Sequence, residues 1–178
     1  MEIIKTYIKG LVIIQPNVFE DERGYFMESY KEKFIKENFP DIHFIQDNES
    51  KSSYGVLRGL HFQKPPFEQT KLVRVIEGEV LDVAVDLRKD SSTYGKWESI
   101  LLTGENKKQF LIPKGFAHGF IVLSKEAIFS YKVDNYYAPE YDSGIIYNDQ
   151  TLKIDWMVND DDIKISNKDK ELNPFQLL

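Results

Sequence analysis

Between about residues 42 and 150 the sequence consists of short apolar or alternating segments separated by turn residues. Glycine, proline, asparagine or aspartate interrupts the pattern near 64–66, 77–79, 104–106 and 113–115. Short segments at this spacing, without long helical stretches between them, predict an antiparallel β-sandwich or barrel and not alternating strand–helix units. We therefore expect an all-β fold with one or two short helices, in a single domain spanning residues 1–178, a length that buries a substantial core.

One helix is predicted over Lys31–Phe39, because Phe34, Ile35 and Phe39 recur at helical spacing and Pro40 stops the pattern. The predicted strands are Leu11–Ile14, Tyr25–Ser29, Ile42–Asn48, Val56–Gln63, Lys71–Glu77, Val80–Leu87, Trp97–Leu102, Gln109–Ile112, Gly119–Leu123, Ala127–Val133 and Ile145–Tyr147. The tail beyond about residue 160 is polar and charged. The sequence leaves open whether this tail crosses back over the barrel or hangs free.

Composition and charge exclude several classes of protein. The chain has no cysteine, which excludes disulfides and thiolate metal sites and agrees with a cytoplasmic location. The net charge of −6 argues against a nucleic-acid polymer or an anionic membrane as partner, but a few local cations suffice for a small anionic ligand. Glu2, Lys5 and Lys9 interrupt the N-terminal apolar residues, so we predict no signal peptide, and no apolar run reaches transmembrane length.

The segment Val56–Gln63, VLRGLHFQ, places a histidine within a predicted strand. Imidazole is the side chain that exchanges a proton most readily near neutral pH, and a strand would hold it rigidly, as a general base requires. The alternative is a core histidine that hydrogen-bonds a backbone group. Strand alternation puts Arg58 on the face opposite His61, so both reach one ligand only if Gly59 bulges or Arg58 passes round a sheet edge.

Two other strands place polar groups where a core is expected. In Ala127–Val133 alternation turns Tyr131 inward, either as a core tyrosine with a bonded hydroxyl or as a proton donor in a protected cavity. In Val80–Leu87 the side chains of Asp82 and Asp86 share the face opposite the apolar one. That face is normally solvated, but a carboxylate there needs a partner if the strand is central.

Lys71 begins a predicted strand, and such a lysine ordinarily extends to water. His118 follows a turn, and its simplest interpretation is a loop histidine. A metal site is not predicted, because the chain has three histidines and Gln63 stands where a second ligand would follow His61. There is also no glycine-rich phosphate loop ahead of a helix and no serine-nucleophile elbow.

A series of motifs runs from about residue 11 to residue 150. They are Asp21–Gly24, Gln46–Asn48, Ser50–Ser52, Val56–Gln63, Lys71–Arg74, Gly78–Val80, Asp82–Asp86, Ile112–Pro113, Gly115–Phe120, Tyr131–Lys132 and Asn135–Tyr137, and Ser166–Asp169 follows in the tail. In this order and spacing the chain resembles the dTDP-4-dehydrorhamnose 3,5-epimerase family. The resemblance implies a cupin-like jelly-roll barrel of antiparallel strands.

The resemblance also implies a reaction on a nucleotide-linked 4-keto-6-deoxy sugar. The keto group acidifies the hydrogens on C3 and C5, a base removes one to leave an enolate, and an acid returns a proton to the opposite face. By this resemblance His61 is the base, Asp169 the carboxylate that orients it, and Tyr131 the acid. Lys71 is placed to stabilise the enolate oxygen.

The family's substrate-binding positions also transfer to this chain. They correspond here to Arg23, Glu28, Gln46, Asp47, Asn48, Arg58, His118, Asp142 and Lys168. The resemblance implies a homodimer that exchanges edge strands, with no metal and no organic cofactor. Thr70 stands where the family usually has glycine, and Asp142 stands where glutamate is expected.

The residue types at the site leave several functions open. One is inversion at C3 or C5 alone, and another is action on a different nucleotide-linked 4-keto sugar, such as a GDP-4-keto-heptose. A keto-isomerase or dehydratase could use the same scaffold. A non-catalytic sugar-binding barrel would use His61 and Tyr131 only for packing.

Overall fold

The computed structural model describes residues 1–177, in which the chain forms thirteen β-strands and two α-helices. The strands are β1 (Glu2–Lys5), β2 (Val12–Gln15), β3 (Val18–Asp21), β4 (Gly24–Met27), β5 (Gln46–Ser53), β6 (Leu57–Gln63), β7 (Lys71–Glu77), β8 (Glu79–Asp86), β9 (Trp97–Thr103), β10 (Gln109–Ile112), β11 (Phe116–Val122), β12 (Glu126–Val133) and β13 (Asp142–Gly144). The helices are α1 (Glu32–Asn38) and α2 (Asn167–Lys170), and short 3-10 turns lie at Pro139–Tyr141, Asp160–Asp162 and Phe175–Leu177.

Two antiparallel sheets form the barrel. The six-stranded sheet has the order β1-β2-β10-β7-β12-β5, and the five-stranded sheet has the order β13-β6-β11-β8-β9. A separate hairpin pairs β3 with β4. The predicted all-β fold, a cupin-like jelly roll with short helices, is confirmed.

The main core lies between the two sheets. Val73 and Phe129 enter it from the six-stranded sheet, and Val80 and Phe120 enter it from the five-stranded sheet. The rings of Phe120 and Phe129 stack across the interface with centroids 4.1 Å apart. This apolar plug fills one part of the barrel and leaves a cavity beside it.

The tail covers the outer face of the five-stranded sheet. Leu81 and Val83 belong there to an apolar cluster, and Ile163, Ile165 and Phe175 of the tail pack against it. The Leu57 N–H donates to the carbonyl of Lys164 at 2.9 Å, which joins the tail to β6 of the sheet. The question that the sequence left open is therefore answered, because the tail crosses back over the barrel.

This covering explains why β8 is buried on both faces. It runs between β11 and β9, so Asp82 and Asp86 point into the barrel although they stood on the polar face of the predicted strand. Each carboxylate has the partner that burial requires. Asp86 accepts hydrogen bonds from Arg88, Ser91 and Thr93. Asp82 pairs with His118.

Helix α1 covers part of the opposite sheet and was predicted within one residue at each end. Ile35 packs there against Val12, Leu72 and Leu111. None of the helices within residues 1–177 has the length and apolar character needed to cross a bilayer.

Three strand predictions were wrong in position, and one of these is Gly119–Leu123, which is observed as Phe116–Val122. The segment predicted as Ile42–Asn48 becomes a strand only at Gln46 and continues to Ser53, because Ile42 packs beneath helix α1 instead. The segment Ile145–Tyr147 is not a strand. Strand β13 precedes it, and Ile145 makes an isolated bridge to Asn173 of the tail.

Strands β1 and β3 were not predicted at all. Strand β1 alternates weakly and lies at the edge of its sheet, while three of the four residues of β3 are exposed. The polar strand β5 also lies at a sheet edge. Hydrophobic patterning is therefore least informative at these edges, because such strands bury little apolar surface.

Candidate active site

A cavity of about 510 Å³ opens between the two sheets, beside the aromatic core. Side chains predicted to act in catalysis or binding line it from both sheets and from the tail. These are Arg58, His61, Lys71, His118, Tyr131, Lys168 and Asp169.

The imidazole of His61 is held by a carboxylate from the tail. His61 Nε2 lies 2.8 Å from Oδ1 of Asp169, which is 4% exposed. Ser166 caps helix α2 by accepting a bond from the Asp169 N–H at 3.1 Å, and the Gly59 N–H approaches the other carboxylate oxygen at 3.5 Å. These contacts fix the place at which the tail presents its carboxylate.

The hydrogen bonds also keep Asp169 ionised. Burial raises the pKa of Asp169, but the bonds from His61, Gly59 and Ser166 outweigh burial and hold that pKa below its ordinary value. An ionised carboxylate only accepts hydrogen bonds, so Nε2 of the imidazole carries the proton and donates it in a hydrogen bond to Oδ1. The lone pair of the neutral ring then lies on Nδ1, so this contact selects the tautomer.

A bulge in β6 brings Arg58 and His61 into the same cavity. His61 pairs with His118 and Arg58 pairs with Phe120, so three steps along β6 match two steps along β11. The extra residue reverses the alternation that would otherwise separate the two side chains. Of the two routes that the sequence left open, a bulge at Gly59 and a path of Arg58 round a sheet edge, the structure shows the bulge.

Gly59 allows this bulge for two physical reasons. Its φ of +126° lies in a region that favours glycine. A Cβ on Gly59 would also lie 2.5 Å from the Cα of Gly119 on the neighbouring strand. The backbone of β6 can approach β11 this closely only without a side chain.

The phenol of Tyr131 reaches the cavity from the opposite sheet. Strand β12 turns Phe129 and Tyr131 to the inner face, as alternation predicted, and their ring centroids lie 6.1 Å apart. Burial raises the pKa of Tyr131, while the charge of Arg58 opposes that rise. A phenol with a raised pKa keeps its proton at neutral pH and can donate it.

Lys71 lies at the cavity and not at a solvated strand end. Burial lowers the pKa of its ammonium to about 8, although the charges of Asp82 and Asp142 oppose this shift. The simple expectation that this lysine extends to water is therefore wrong. The local charge remains available below about pH 8 in a desolvated place, where a cation acts strongly on a developing anion.

A second histidine–carboxylate pair lies beside Lys71. His118 Nε2 is 2.9 and 3.0 Å from the two oxygens of Asp82, a residue with no exposed surface. Burial lowers the pKa of His118 and raises the pKa of Asp82, and their mutual attraction opposes both shifts. His118 belongs to β11 and is 7% exposed, so the interpretation as a loop histidine is wrong.

Asp142 and Lys168 form an ion pair at the rim of the cavity. Tyr137 joins them, since its hydroxyl donates to Oδ2 of Asp142 at 3.1 Å. Lys168 directly precedes Asp169, so this rim is continuous with the carboxylate that holds His61.

The polar strand β5 forms a wall near the cavity. Gln46 donates to Oδ1 of Asn48 at 2.8 Å, and Ser52 accepts two bonds from the Arg58 guanidinium, both at 3.2 Å. Asp47 differs from these neighbours, because it pairs with Lys132 at 2.7 Å and its side chain is 68% exposed.

Six predicted binding residues do not line this cavity, namely Gln46, Asp47, Asn48 and Asp142, described above, and Arg23 and Glu28. Arg23 at the tip of the β3–β4 hairpin pairs with Asp21 at 2.6 Å, and its side chain is 85% exposed. Glu28 pairs with Lys31 at 2.9 Å. Their binding roles remain predictions.

Several cavity residues were not identified from the sequence. Glu49, Ser50, Lys164 and Ser166 also line the cavity. The alternation of small polar residues along β5 was a usable signal for Ser50. Ser166 lies in the motif Ser166–Asp169, but only Lys168 and Asp169 of that motif were predicted to act, and nothing marked Lys164. Among residues 1–177, no group of three or more histidine, aspartate or glutamate side chains could hold a metal ion.

The jelly-roll fold and this cavity place the protein among the carbohydrate isomerases. The model of the dTDP-4-dehydrorhamnose 3,5-epimerase family matches residues 5–176, and the chain belongs to this family. A relative of that name from Methanothermobacter thermautotrophicus is 54% identical over 174 residues, which cover 97% of this chain and 94% of the relative.

Solved structures agree with this assignment. The dTDP-4-dehydrorhamnose 3,5-epimerase from Elizabethkingia anophelis has a TM-score of 0.95 and 53% identity, covering 99% of this chain and 97% of that one. The dTDP-6-deoxy-D-glucose-3,5-epimerase from Legionella pneumophila, solved with dTDP-4-keto-L-rhamnose, has a TM-score of 0.95 and 49% identity, covering 99% and 94%. A 3'-monoepimerase from Streptomyces bikiniensis, solved with dTDP-quinovose, has a TM-score of 0.88 and 29% identity, covering 96% and 86%.

Proposed function

We propose that the protein inverts C3 and C5 of dTDP-4-keto-6-deoxyglucose to give dTDP-4-keto-rhamnose. The observation that carries this proposal is that His61, paired with Asp169, and Tyr131 line one cavity from opposite sheets. A carbon placed between the two rings loses a hydrogen to one face and gains a proton on the other. The likeness to relatives named for this reaction supports the same substrate.

The reaction proceeds by proton transfer alone. His61 Nδ1 removes the hydrogen from C5 or C3 as a proton, and the C–H electron pair forms a double bond to C4 while the carbonyl becomes an enolate oxygen. Lys71 stabilises that negative charge. Tyr131 donates its proton to the opposite face of the same carbon, the C4 carbonyl re-forms, and the two side chains return to their starting states through solvent.

Asp169 contributes by stabilising the imidazolium that forms when His61 accepts the proton. The carboxylate and the ring are already in contact, so little reorganisation accompanies the transfer. Arg58, Lys168, Gln46 and Asn48 bind the diphosphate and sugar, since guanidinium, ammonium and amide groups suit these oxygens. His118 and Asp142 complete the sugar-binding side.

We further propose that the protein acts as a homodimer with exchanged edge strands. The β3–β4 hairpin exposes Phe19, Tyr25 and Phe26, whose surfaces are 62%, 52% and 67% accessible. Three large exposed rings on one projecting hairpin are typical of a surface that packs against another chain. In such a dimer Arg23, Glu28 and Asp47 of one copy contact the nucleotide that is bound to the other copy.

We also propose a cytoplasmic location, because the cytoplasm is the compartment that supplies nucleotide sugars.

Turnover of dTDP-4-keto-6-deoxyglucose in deuterated water tests the function. Two deuterons in the product, at C3 and C5, are expected for the double epimerase. One deuteron would replace the proposal by a single-centre epimerase, an alternative favoured by the likeness to the 3'-monoepimerase. The assay is repeated with a panel of nucleotide-linked 4-keto sugars, including a GDP-4-keto-heptose. If no sugar in the panel gains a deuteron, the enzyme proposal is contradicted and the protein is a non-catalytic sugar-binding barrel.

A further inference from the structure

Gln63 makes three hydrogen bonds that the reaction itself does not use. It ends β6, two residues beyond His61, and is 6% exposed. Its Nε2 donates to the carbonyls of Phe67 at 2.6 Å and Tyr136 at 3.1 Å, and its Oε1 accepts from the Ala138 N–H at 2.6 Å. One side chain therefore joins the strand that carries the base to two separate loops.

Two of these bonds enclose Tyr137. The Tyr136 carbonyl and the Ala138 N–H belong to the two peptide groups on either side of Tyr137. The amide of Gln63 pairs with both, much as the backbone of a neighbouring strand would pair with that residue. The backbone of Tyr137 is consequently fixed although it lies outside any strand.

Tyr137 transmits this constraint to the rim of the cavity. Its ring is 56% exposed, and its hydroxyl bonds to Asp142, which is the ion-pair partner of Lys168. Asp142 also stands directly opposite Gln63 in the pairing of β13 with β6. The rim formed by Tyr137, Asp142 and Lys168 is thus anchored to β6 at two points.

The third bond of Gln63 reaches the loop that precedes Lys71. Phe67 belongs to that loop, and its ring lies 4.5 Å from the ring of Tyr141 between centroids. Further along the loop, Gln69 donates to the carbonyl of Asn135 at 2.8 Å. Gln63 therefore also fixes the approach of the chain to Lys71.

A purely structural role would require only that a buried amide find partners. Gln63 differs because every partner belongs to a segment that presents a side chain to the cavity or its rim. We propose that Gln63 is a positioning residue that sets the rim of Tyr137, Asp142 and Lys168 for binding the nucleotide sugar. This inference rests on the proposed function and assigns Gln63 to substrate affinity rather than to proton transfer.

The variant Gln63→Glu tests this role with a minimal change in shape. The carboxylate still accepts from Ala138 but cannot donate to the carbonyls of Phe67 and Tyr136. We expect KM for dTDP-4-keto-6-deoxyglucose and Kd for dTDP to rise roughly tenfold, with kcat held within about threefold, because binding and not chemistry loses its alignment. The charge-matched control is Gln15→Glu on the distant strand β2. This change removes the side-chain hydrogen bond from Gln15 to the Asn106 carbonyl and should leave KM unchanged.

The variant Tyr137→Phe provides an independent test that keeps the ring. It removes the bond to Asp142, so we expect it to raise KM and to combine with Gln63→Glu less than multiplicatively. Unchanged KM and dTDP affinity in either variant, with only a lower melting temperature, would overturn the inference. A fall in kcat without a change in KM would overturn it as well.

The same measurements separate this inference from the proposed function. Wild-type protein that binds dTDP but exchanges no deuterium into the 4-keto sugar would contradict the function. Wild-type turnover, together with wild-type KM in Gln63→Glu and Tyr137→Phe, would contradict only the role of Gln63.

Discussion

Oδ1 of Asp169 lies 2.8 Å from Nε2 of His61, although 108 residues separate them along the chain. The strand holds the imidazole, and the tail supplies its carboxylate after crossing the outer face of the sheet. Because the contact fixes the tautomer of the ring, the proposed chemistry depends on the tail as well as on the strand.

Replacing His61, the proposed base, should greatly lower turnover and keep the fold. We expect His61→Asn to lower kcat by roughly 10²–10⁴-fold, the usual contribution of a general base, with a similar melting temperature. Rate assays and thermal unfolding check this. Asn cannot accept the proton but roughly preserves the volume, so activity close to wild type would show that His61 only packs.

Replacing the phenol should separate binding from turnover. Tyr131→Phe removes the proposed proton donor, and we expect roughly 10²-fold or greater loss of epimerised product. The affinity for dTDP, measured by calorimetry, should stay unchanged because the ring remains in place. Full activity in Tyr131→Phe would assign proton donation to water or to another residue.

The alkaline limb of the pH profile should report Lys71. Burial lowers its pKa to about 8, so the ammonium proposed to stabilise the enolate is lost as pH rises through that value. We therefore expect kcat/KM, which follows the free enzyme, to fall above about pH 8. In Lys71→Arg the limb should move to higher pH, since guanidinium keeps its proton. A limb that stays in place in Lys71→Arg would have to come from another group.

The bulge in β6 can be tested with two glycines of matching conformation. Gly59 and Gly24 have φ values of +126° and +125°. A Cβ added at Gly59 would clash with Gly119, whereas a Cβ added at Gly24 would have no atom within 4 Å. We expect Gly24→Ala to lower the free energy of unfolding by about 1 kcal/mol from strain alone. Gly59→Ala should cost about 3 kcal/mol or more and reduce activity, because β6 must move away from β11. Equal losses, measured by urea unfolding, would show that the close approach is unimportant.

The proposed exchange between subunits predicts complementation. A protein carrying Arg23→Ala and one carrying His61→Asn should each be inactive or weak alone. If Arg23 contributes to the partner's cavity, a heterodimer has one site that lacks both changes. The two proteins are unfolded, mixed in equal amounts and refolded together. About half of the dimers are then heterodimers, so about a quarter of the wild-type activity per site should be restored. No recovery in heterodimers, separated by a tag on one chain, would place Arg23 in the cavity of its own chain or outside catalysis.

Much of the sheet structure followed from the sequence, for identifiable reasons. The strands Lys71–Glu77 and Gln109–Ile112 were predicted with their observed ends, since each lies inside a sheet and has apolar positions that pattern it. The edge strand Gln46–Ser53 was misplaced, because its residues are almost all polar. The inward orientation of Tyr131 followed from alternation along β12.

The order and type of the chain's residues determined an antiparallel barrel, the short helix after the hairpin, and the segments that carry the polar groups. Only the tertiary structure decided that Arg58 and His61 share a face, because a one-residue bulge reverses the alternation that sequence patterns assume. It also decided that His118 and Lys71 are desolvated beside Asp82, and that Gln63 anchors the rim. Burial and hydrogen bonding depend on neighbours distant in the chain, and local periodicity contains no information about those neighbours.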